Sequence, residues 1–274
     1  MRRRFSLGAV QALIIDIDGT LLRGSLPLPG LSRFFAFLES RQMPFVVASN
    51  NATKTAAAYQ EKLAGLGAPL QAGQILTAAM ATAGYLVGEL CQGARLYVIG
   101  EPALRSTLRH AGFVLQDDAS QPAGAVVVGG DSTLTYEKLK NAVLLLQSGA
   151  RFVGTNPDLL CPTEEGLVPE AGTTLAALEA ATGIRPVVIG KPARYLFDMA
   201  VAAMGSQQAR TAVLGDRLET DILGGQQAGL STILVTSGVD DERTIPEKGI
   251  EPDLVVSGLD GLVDLWEEQD RDER

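Results

Sequence analysis

A chain of 274 residues with 46% hydrophobic and 20% charged residues has ample apolar material for one large or two moderate globular domains. Its formal net charge of −9 argues against nucleic acid and against an anionic membrane surface as partners, so any anionic substrate must be drawn in by local cations. Cys91 and Cys161 lack a CxxC spacing, which suggests neither a zinc site nor a disulfide framework and fits a reducing cytoplasm; the single histidine, His110, leaves catalysis to carboxylates, lysine or hydroxyls.

Met1-Arg2-Arg3-Arg4-Phe5 precedes an apolar stretch that runs straight into Asp16 and Asp18 without a small-residue cleavage site, so it reads as the start of the fold and not as an export signal. No segment approaches 18 uninterrupted apolar residues, and no membrane span is expected. Ala12 to Ile15 has the signature of a strand buried on both faces of a parallel sheet. It stops at Asp16-Ile17-Asp18-Gly19-Thr20. Strand alternation places Asp16 and Asp18 on one face, converging on one point, while Gly19 bends the chain. Two close carboxylates are tolerated when a cation sits between them or when one holds a proton. Taken alone the motif is equally a polar turn; the further acids of an EF-hand loop are absent.

Pro27 to Gly30 reads as a loop and Leu31 to Arg41 as a helix. Phe45 to Ala48 is a second buried strand, ending in Ser49-Asn50-Asn51 before a helix over about 53–66. The Ser49 hydroxyl and the amides at that helix start suit a phosphate, or a plain N-cap. The segment 90–183 alternates on its own, with apolar runs at 96–99, 125–128 and 152–153 and helical stretches near 101–111 and 134–148. It predicts a second, smaller α/β domain. Three more strands follow, ending at Gly190-Lys191-Pro192, at Gly215-Asp216-Arg217 with Asp221 five residues on, and at Thr236-Ser237-Gly238. Parallel strand ends gather at one edge of a sheet, so Asp16, Ser49, Lys191 and Asp216 are expected to meet there.

The four segments Asp16 to Thr20, Ser49 to Asn51, Gly190 to Pro192 and Gly215-Asp216-Arg217-Leu218-Glu219-Thr220-Asp221-Ile222 resemble, in order, the motifs of the haloacid dehalogenase superfamily, subfamily IIA, in its NagD-like branch of p-nitrophenyl, phosphoglycolate and pyridoxal phosphatases. The resemblance continues through Val128-Gly129, Leu134 to Leu139 and Thr155 to Asp158, and covers nearly the whole chain. It implies a doubly wound, Rossmann-like α/β core over 1–89 and 184–274, with a C2-type cap inserted at 90–183. A cap covers the site, excludes water and contacts the leaving group.

The implied activity is a Mg²⁺-dependent phosphoric monoester hydrolase acting on a small-molecule phosphate ester, of the sugar phosphate, phosphoglycolate or nucleotide type. In that reading Asp16 is the nucleophile that forms an aspartyl-phosphate, and Asp18 is the general acid and then base. Mg²⁺ is held by the Asp16 carboxylate, the Asp18 backbone carbonyl and Asp216, supported by Asp221. Lys191, Ser49, Asn50 and Asn51 bind the phosphoryl group, and the loop from Thr155 to Pro169 with Cys161 reads the rest of the substrate. Pyridoxal phosphatases of the branch carry histidine where Cys161 stands, which points away from pyridoxal phosphate. Members of the branch often pair, so a homodimer is expected. The alternative is a receiver-like phospho-accepting signalling module, which also gathers acids, a hydroxyl and a lysine at a parallel sheet's end but ends at one small domain and has no cap.

Overall fold

The computed structural model describes residues 5–163 and 165–272; the arginines at 2–4 and Glu164 lie outside the described residues. The chain forms two compact units, one of Met1–Ser49, Ala56–Leu76 and Lys191–Arg274, the other of Asn50–Thr55 and Thr77–Gly190.

The first unit is built on a six-stranded sheet in the spatial order Leu254–Val256, Ser231–Val235, Thr211–Gly215, Ala12–Ile15, Phe45–Ser49, Ile75–Thr77. From Ala12–Ile15 the pairings run parallel to Phe45–Ser49 on one side, and through Thr211–Gly215 and Ser231–Val235 to Leu254–Val256 on the other. The chain thus winds outward in one direction, then returns to the centre and winds outward in the other. This is the doubly wound α/β core expected from the sequence. The reversal falls between Ala12–Ile15 and Thr211–Gly215, and ligands of open α/β sheets bind beyond the strand carboxyl ends at such a reversal. Both central strands are buried along their whole length, which is why their sequences are unbroken apolar runs and not alternating ones.

Helix Leu31–Ser40 buries Leu31, Phe34, Phe35, Phe37 and Leu38, and packs against the C-terminal helix Leu259–Asp272. There Trp266 is 1% exposed and stacks on Phe37, with ring centroids 5.4 Å apart. The charged run after Trp266 therefore belongs to a docked helix, whose Asp264 and Glu267 meet Arg33 at 2.7 and 3.0 Å. Those exposed pairs add little; the helix is held by Trp266, whose truncation to alanine would cost roughly 3–5 kcal/mol.

The second unit carries a five-stranded parallel sheet in the order Val187–Val188, Arg151–Gly154, Ala125–Val128, Arg95–Ile99, Val114–Gln116, with its own core around Val126, Val128, Leu145 and Phe152. It begins before residue 90 because helix Ala78–Glu89 packs on helix Pro102–His110. It also holds a hairpin absent from the sequence reading, Leu160–Thr163 against Gly166–Pro169, which places Cys161 opposite Val168. His110 is exposed at the end of its helix. Among the described residues no helix is long and apolar enough to cross a membrane.

Candidate active site

Asp16 leaves the C-terminal end of the central strand, its N–H donating to Leu214 O at 2.9 Å. That bond puts it level with the neighbouring strand's end, where Gly215 and Asp216 follow Leu214. The next turn, Leu218–Ile222, is a wide π-helical one in which the Asp221 N–H donates to Arg217 O, so Asp221 folds back over its own strand end. Gly215 permits this approach: a Cβ there would lie 2.3 Å from that of Asp221. As a result one oxygen from each of Asp16, Asp216 and Asp221 lies within 4.8 Å of the others, all three residues being buried.

Lys191, 3% exposed, reaches into this cluster. Its Nζ donates to Asp16, to Asp221 Oδ1 at 2.7 Å and to Ala48 O at 3.4 Å. Burial alone pulls the ammonium down, but Asp16 and Asp221 override it and hold Lys191 protonated, above its ordinary range. Burial pushes the Asp16 carboxyl well above the usual carboxylate range; Lys191 pulls it back, while Asp221 and Asp216 push it further. Burial, reinforced by Asp221 and only partly countered by the Val239 N–H, pushes Asp216 up to about 7. One buried lysine is shared among three carboxylates, and burial together with their mutual repulsion raises the carboxyls of Asp16 and Asp216.

Asp216 carries the clearest sign of what is required. Its Oδ2 accepts from Val239 N–H at 2.8 Å, whereas its Oδ1 is buried and accepts no hydrogen bond from a described residue. Gly19, at φ +97°, and Gly238 close around it so tightly that a Cβ on either would lie 2.0 Å from Asp216 Oδ2. An orphaned carboxylate oxygen beside two more buried carboxylates forms a hard-oxygen donor set with two negative charges in excess of Lys191, which fits a divalent cation.

The other residues singled out from sequence are placed differently. Asp18 lies just past the strand, which ends at Ile15, in a segment where the chain turns at once, Ile17 O accepting from the N–H groups of both Leu21 and Leu22 at 2.9 Å. Asp18 is exposed and its carboxylate lies outside the buried trio. Ser49 ends its strand buried, its Oγ 3.4 Å from the Tyr59 hydroxyl. The following helix starts at Ala56 and not at 53, since Asn51 Oδ1 accepts from both the N–H and the hydroxyl of Thr53 at 2.7 Å in a side-chain-closed turn; helix-start amides therefore do not directly follow Ser49. Within the second unit Asn50 Nδ2 donates to Asp158 at 3.2 Å and its carbonyl accepts from Asn156 at 3.0 Å. Cys161 is half-buried in the hairpin of that unit. Sequence reading missed Gly238 and Val239 as the wall against Asp216. The available signal was the strand end at Thr236, which lies on the same edge as the other motifs.

Two family models match the chain, one for haloacid dehalogenase-like hydrolases at residues 13–114 and one for HAD-like hydrolases at 188–262. The chain is 35% identical to an acid sugar phosphatase of Staphylococcus epidermidis over 88% of its own length and 92% of the relative's. Its fold matches the 4-nitrophenylphosphatase of Thermotoga maritima with a TM-score of 0.88 at 34% identity, covering 94% of this chain and 98% of that one. It also matches the glycerol phosphate phosphatase of Mycobacterium tuberculosis in complex with magnesium, with a TM-score of 0.86 at 33% identity, covering 93% and 77%. The chain therefore belongs to the haloacid dehalogenase-like hydrolases, in their NagD-like branch, and is a phosphoric monoester hydrolase. The receiver-like alternative falls, because the likeness to phosphatases runs through both units.

Proposed function

We propose that this protein is a Mg²⁺-dependent phosphatase of small sugar- or polyol-type phosphomonoesters, working through an aspartyl-phosphate on Asp16. The observation that carries the reading is the Asp16 carboxylate at the sheet's reversal point, bonded to Lys191 and flanked by the orphaned Oδ1 of Asp216. The names of two relatives, an acid sugar phosphatase and a glycerol phosphate phosphatase, support the substrate class.

Asp16 attacks phosphorus and the bond to the ester oxygen breaks, so one hard displacement becomes two easier ones. Asp18, exposed on the loop immediately after, gives the departing oxygen its proton and then takes one from the water that hydrolyses the acyl phosphate. Lys191 holds Asp16 in place, favours its ionised form against burial and offers its charge to the phosphoryl oxygens, and Ser49 with the Asn50-Asn51 backbone binds the remaining oxygens. Asp16 and Asp216, with the Asp18 carbonyl, would hold Mg²⁺ and Asp221 would support them; when bound, the ion would supply electrostatic neutralisation of the phosphoryl group. Asp221 has a second duty, since it is also Lys191's partner. The second unit serves as the cap, and its hairpin Leu160–Thr163/Gly166–Pro169 with Cys161 chooses the leaving group. We further propose a homodimer in the cytoplasm.

The test is a panel of glycerol phosphate, sugar phosphates, phosphoglycolate, a nucleotide and pyridoxal phosphate with Mg²⁺, combined with rapid quenching on a phosphorus-labelled ester. Label retained on the protein and lost in Asp16→Asn is the expected result. Turnover without any labelled protein at any quench time would remove the covalent step, and a preference for nucleotides or pyridoxal phosphate would remove the substrate class.

A further inference from the structure

Beyond the four motifs, the chain buries one more carboxylate beside the acidic cluster. Asp240 is 2% exposed, and both its oxygens are engaged: Oδ2 accepts from Leu218 N–H at 2.7 Å and Oδ1 from Lys248 Nζ at 2.8 Å. Its own N–H donates to Asp216 O at 3.0 Å, directly after Val239 N–H has bonded the Asp216 side chain. Leu218 opens the wide turn that carries Asp221, and Lys248 fastens the same turn a second time through Glu219 at 2.9 Å. One buried residue is thus tied through its N–H to the backbone of Asp216 and through its side chain to the first residue of the turn bearing Asp221. With both oxygens occupied it is not itself a ligand. Burying a carboxylate is unfavourable unless it is fully paired, and a hydroxyl would have capped the Leu218 amide without that penalty.

We propose that Asp240 is a positioning residue for the cation site, fixing the spacing between Asp216 and Asp221 with Lys248 as its counter-charge. The inference rests on the Mg²⁺ reading given above. A plain turn cap would contribute stability and nothing more, whereas a residue that sets the spacing of metal ligands changes metal affinity, typically by about 10- to 100-fold when removed.

The experiment measures Mg²⁺ half-saturation on the full chain in two ways, by calorimetric titration with MgCl₂ and by the Mg²⁺ dependence of p-nitrophenyl phosphate turnover. For Asp240→Ala both should rise about tenfold or more, with kcat at saturating Mg²⁺ and KM for the ester nearly unchanged. Asp240→Asn keeps an acceptor for Leu218 N–H and should recover most of the affinity. A folded Asp240→Ala protein that is less stable but binds Mg²⁺ like the parent would overturn the proposal. If that variant does not fold, Lys248→Met carries the test: weakened Mg²⁺ binding supports the proposal and parental binding overturns it. A parent that binds no Mg²⁺ in the calorimeter would overturn the metal reading itself and this inference with it, an outcome distinct from parent and variants binding equally.

Discussion

Lys191 donates to Asp221 at 2.7 Å while also donating to Asp16, so a single buried ammonium ties the end of the first strand to the turn inside the fourth motif. Removing it leaves three buried carboxylates with no compensating cation. Lys191→Met should destabilise the metal-free protein by roughly 3–5 kcal/mol, as breakage of a buried ion pair does, and abolish turnover. Chemical denaturation with and without Mg²⁺ checks this. Stability equal to the parent's in metal-free buffer would show that Lys191 does not balance the cluster.

Asp16→Asn keeps the shape of the side chain and removes the nucleophile and one cation ligand. Turnover of p-nitrophenyl phosphate should fall to background while circular dichroism and melting temperature change little, because Asp16 contributes nothing to apolar packing. Appreciable turnover by the folded variant would contradict a covalent role for this residue.

Much of this site was legible in the sequence because buried parallel strands write themselves as unbroken apolar runs. Ala12–Ile15, Phe45–Ser49 and Thr211–Gly215 were each flagged by that pattern, and a parallel sheet then forces their ends together. The misses share a cause. The hairpin Leu160–Thr163/Gly166–Pro169 has neither a buried run nor clean alternation, with Leu160 and Leu167 exposed, so no period marked it. Gly238 and Val239 act through close approach and a backbone N–H, which residue identity does not disclose, and Asp240 reads as one more surface acid until the fold buries it.

The wall around Asp216 can be probed directly. In Gly238→Ala the added methyl would sit 2.0 Å from Asp216 Oδ2 and displace the carboxylate from the Val239 N–H. The expected result is a melting temperature that no longer rises with Mg²⁺, together with turnover at least about tenfold below the parent's. An unaltered Mg²⁺ response would mean that the chain relaxes around the methyl and the glycine is dispensable.

The Asp216 carboxyl, pushed up to about 7, makes stability depend on pH in a direction opposite to that of an ordinary salt-bridged acid. Between about pH 4, where the unfolded carboxyl titrates, and pH 7, the folded protein retains a proton the unfolded chain has released. Stability of the metal-free protein should therefore fall as pH rises through that window, by on the order of 4 kcal/mol at most, and the loss is complete above pH 7. Mg²⁺ should restore it, and because protons compete for the same oxygens, the apparent Mg²⁺ affinity should decline below pH 7. Melting curves from about pH 4.5 to about 8, with EDTA and with Mg²⁺, decide the matter; a flat metal-free profile would count against a buried, uncompensated Asp216.

If the first unit supplies the chemistry and the second supplies the choice, selectivity and reactivity should separate on mutation. Leu159 and Leu160 are half exposed at the base of the hairpin and Cys161 is half-buried within it, so replacing Leu160 or Cys161 by alanine removes contact surface without opening a core. p-Nitrophenolate leaves readily and needs little positioning, whereas a sugar or polyol alkoxide must be oriented so that its oxygen receives a proton as the bond breaks. Leu160→Ala and Cys161→Ala should therefore shift the ratios of kcat/KM among sugar phosphates, glycerol phosphate and phosphoglycolate while leaving p-nitrophenyl phosphate nearly unchanged. Asp18→Asn should do the reverse, lowering turnover of every ester with a poor leaving group, by about 10²- to 10⁴-fold if Asp18 is the general acid. Measuring kcat/KM for the same ester series on all three variants separates the two roles. One common factor across all substrates for both hairpin variants would mean that the hairpin does not read the substrate, and the reader would then have to be sought on another part of the second unit.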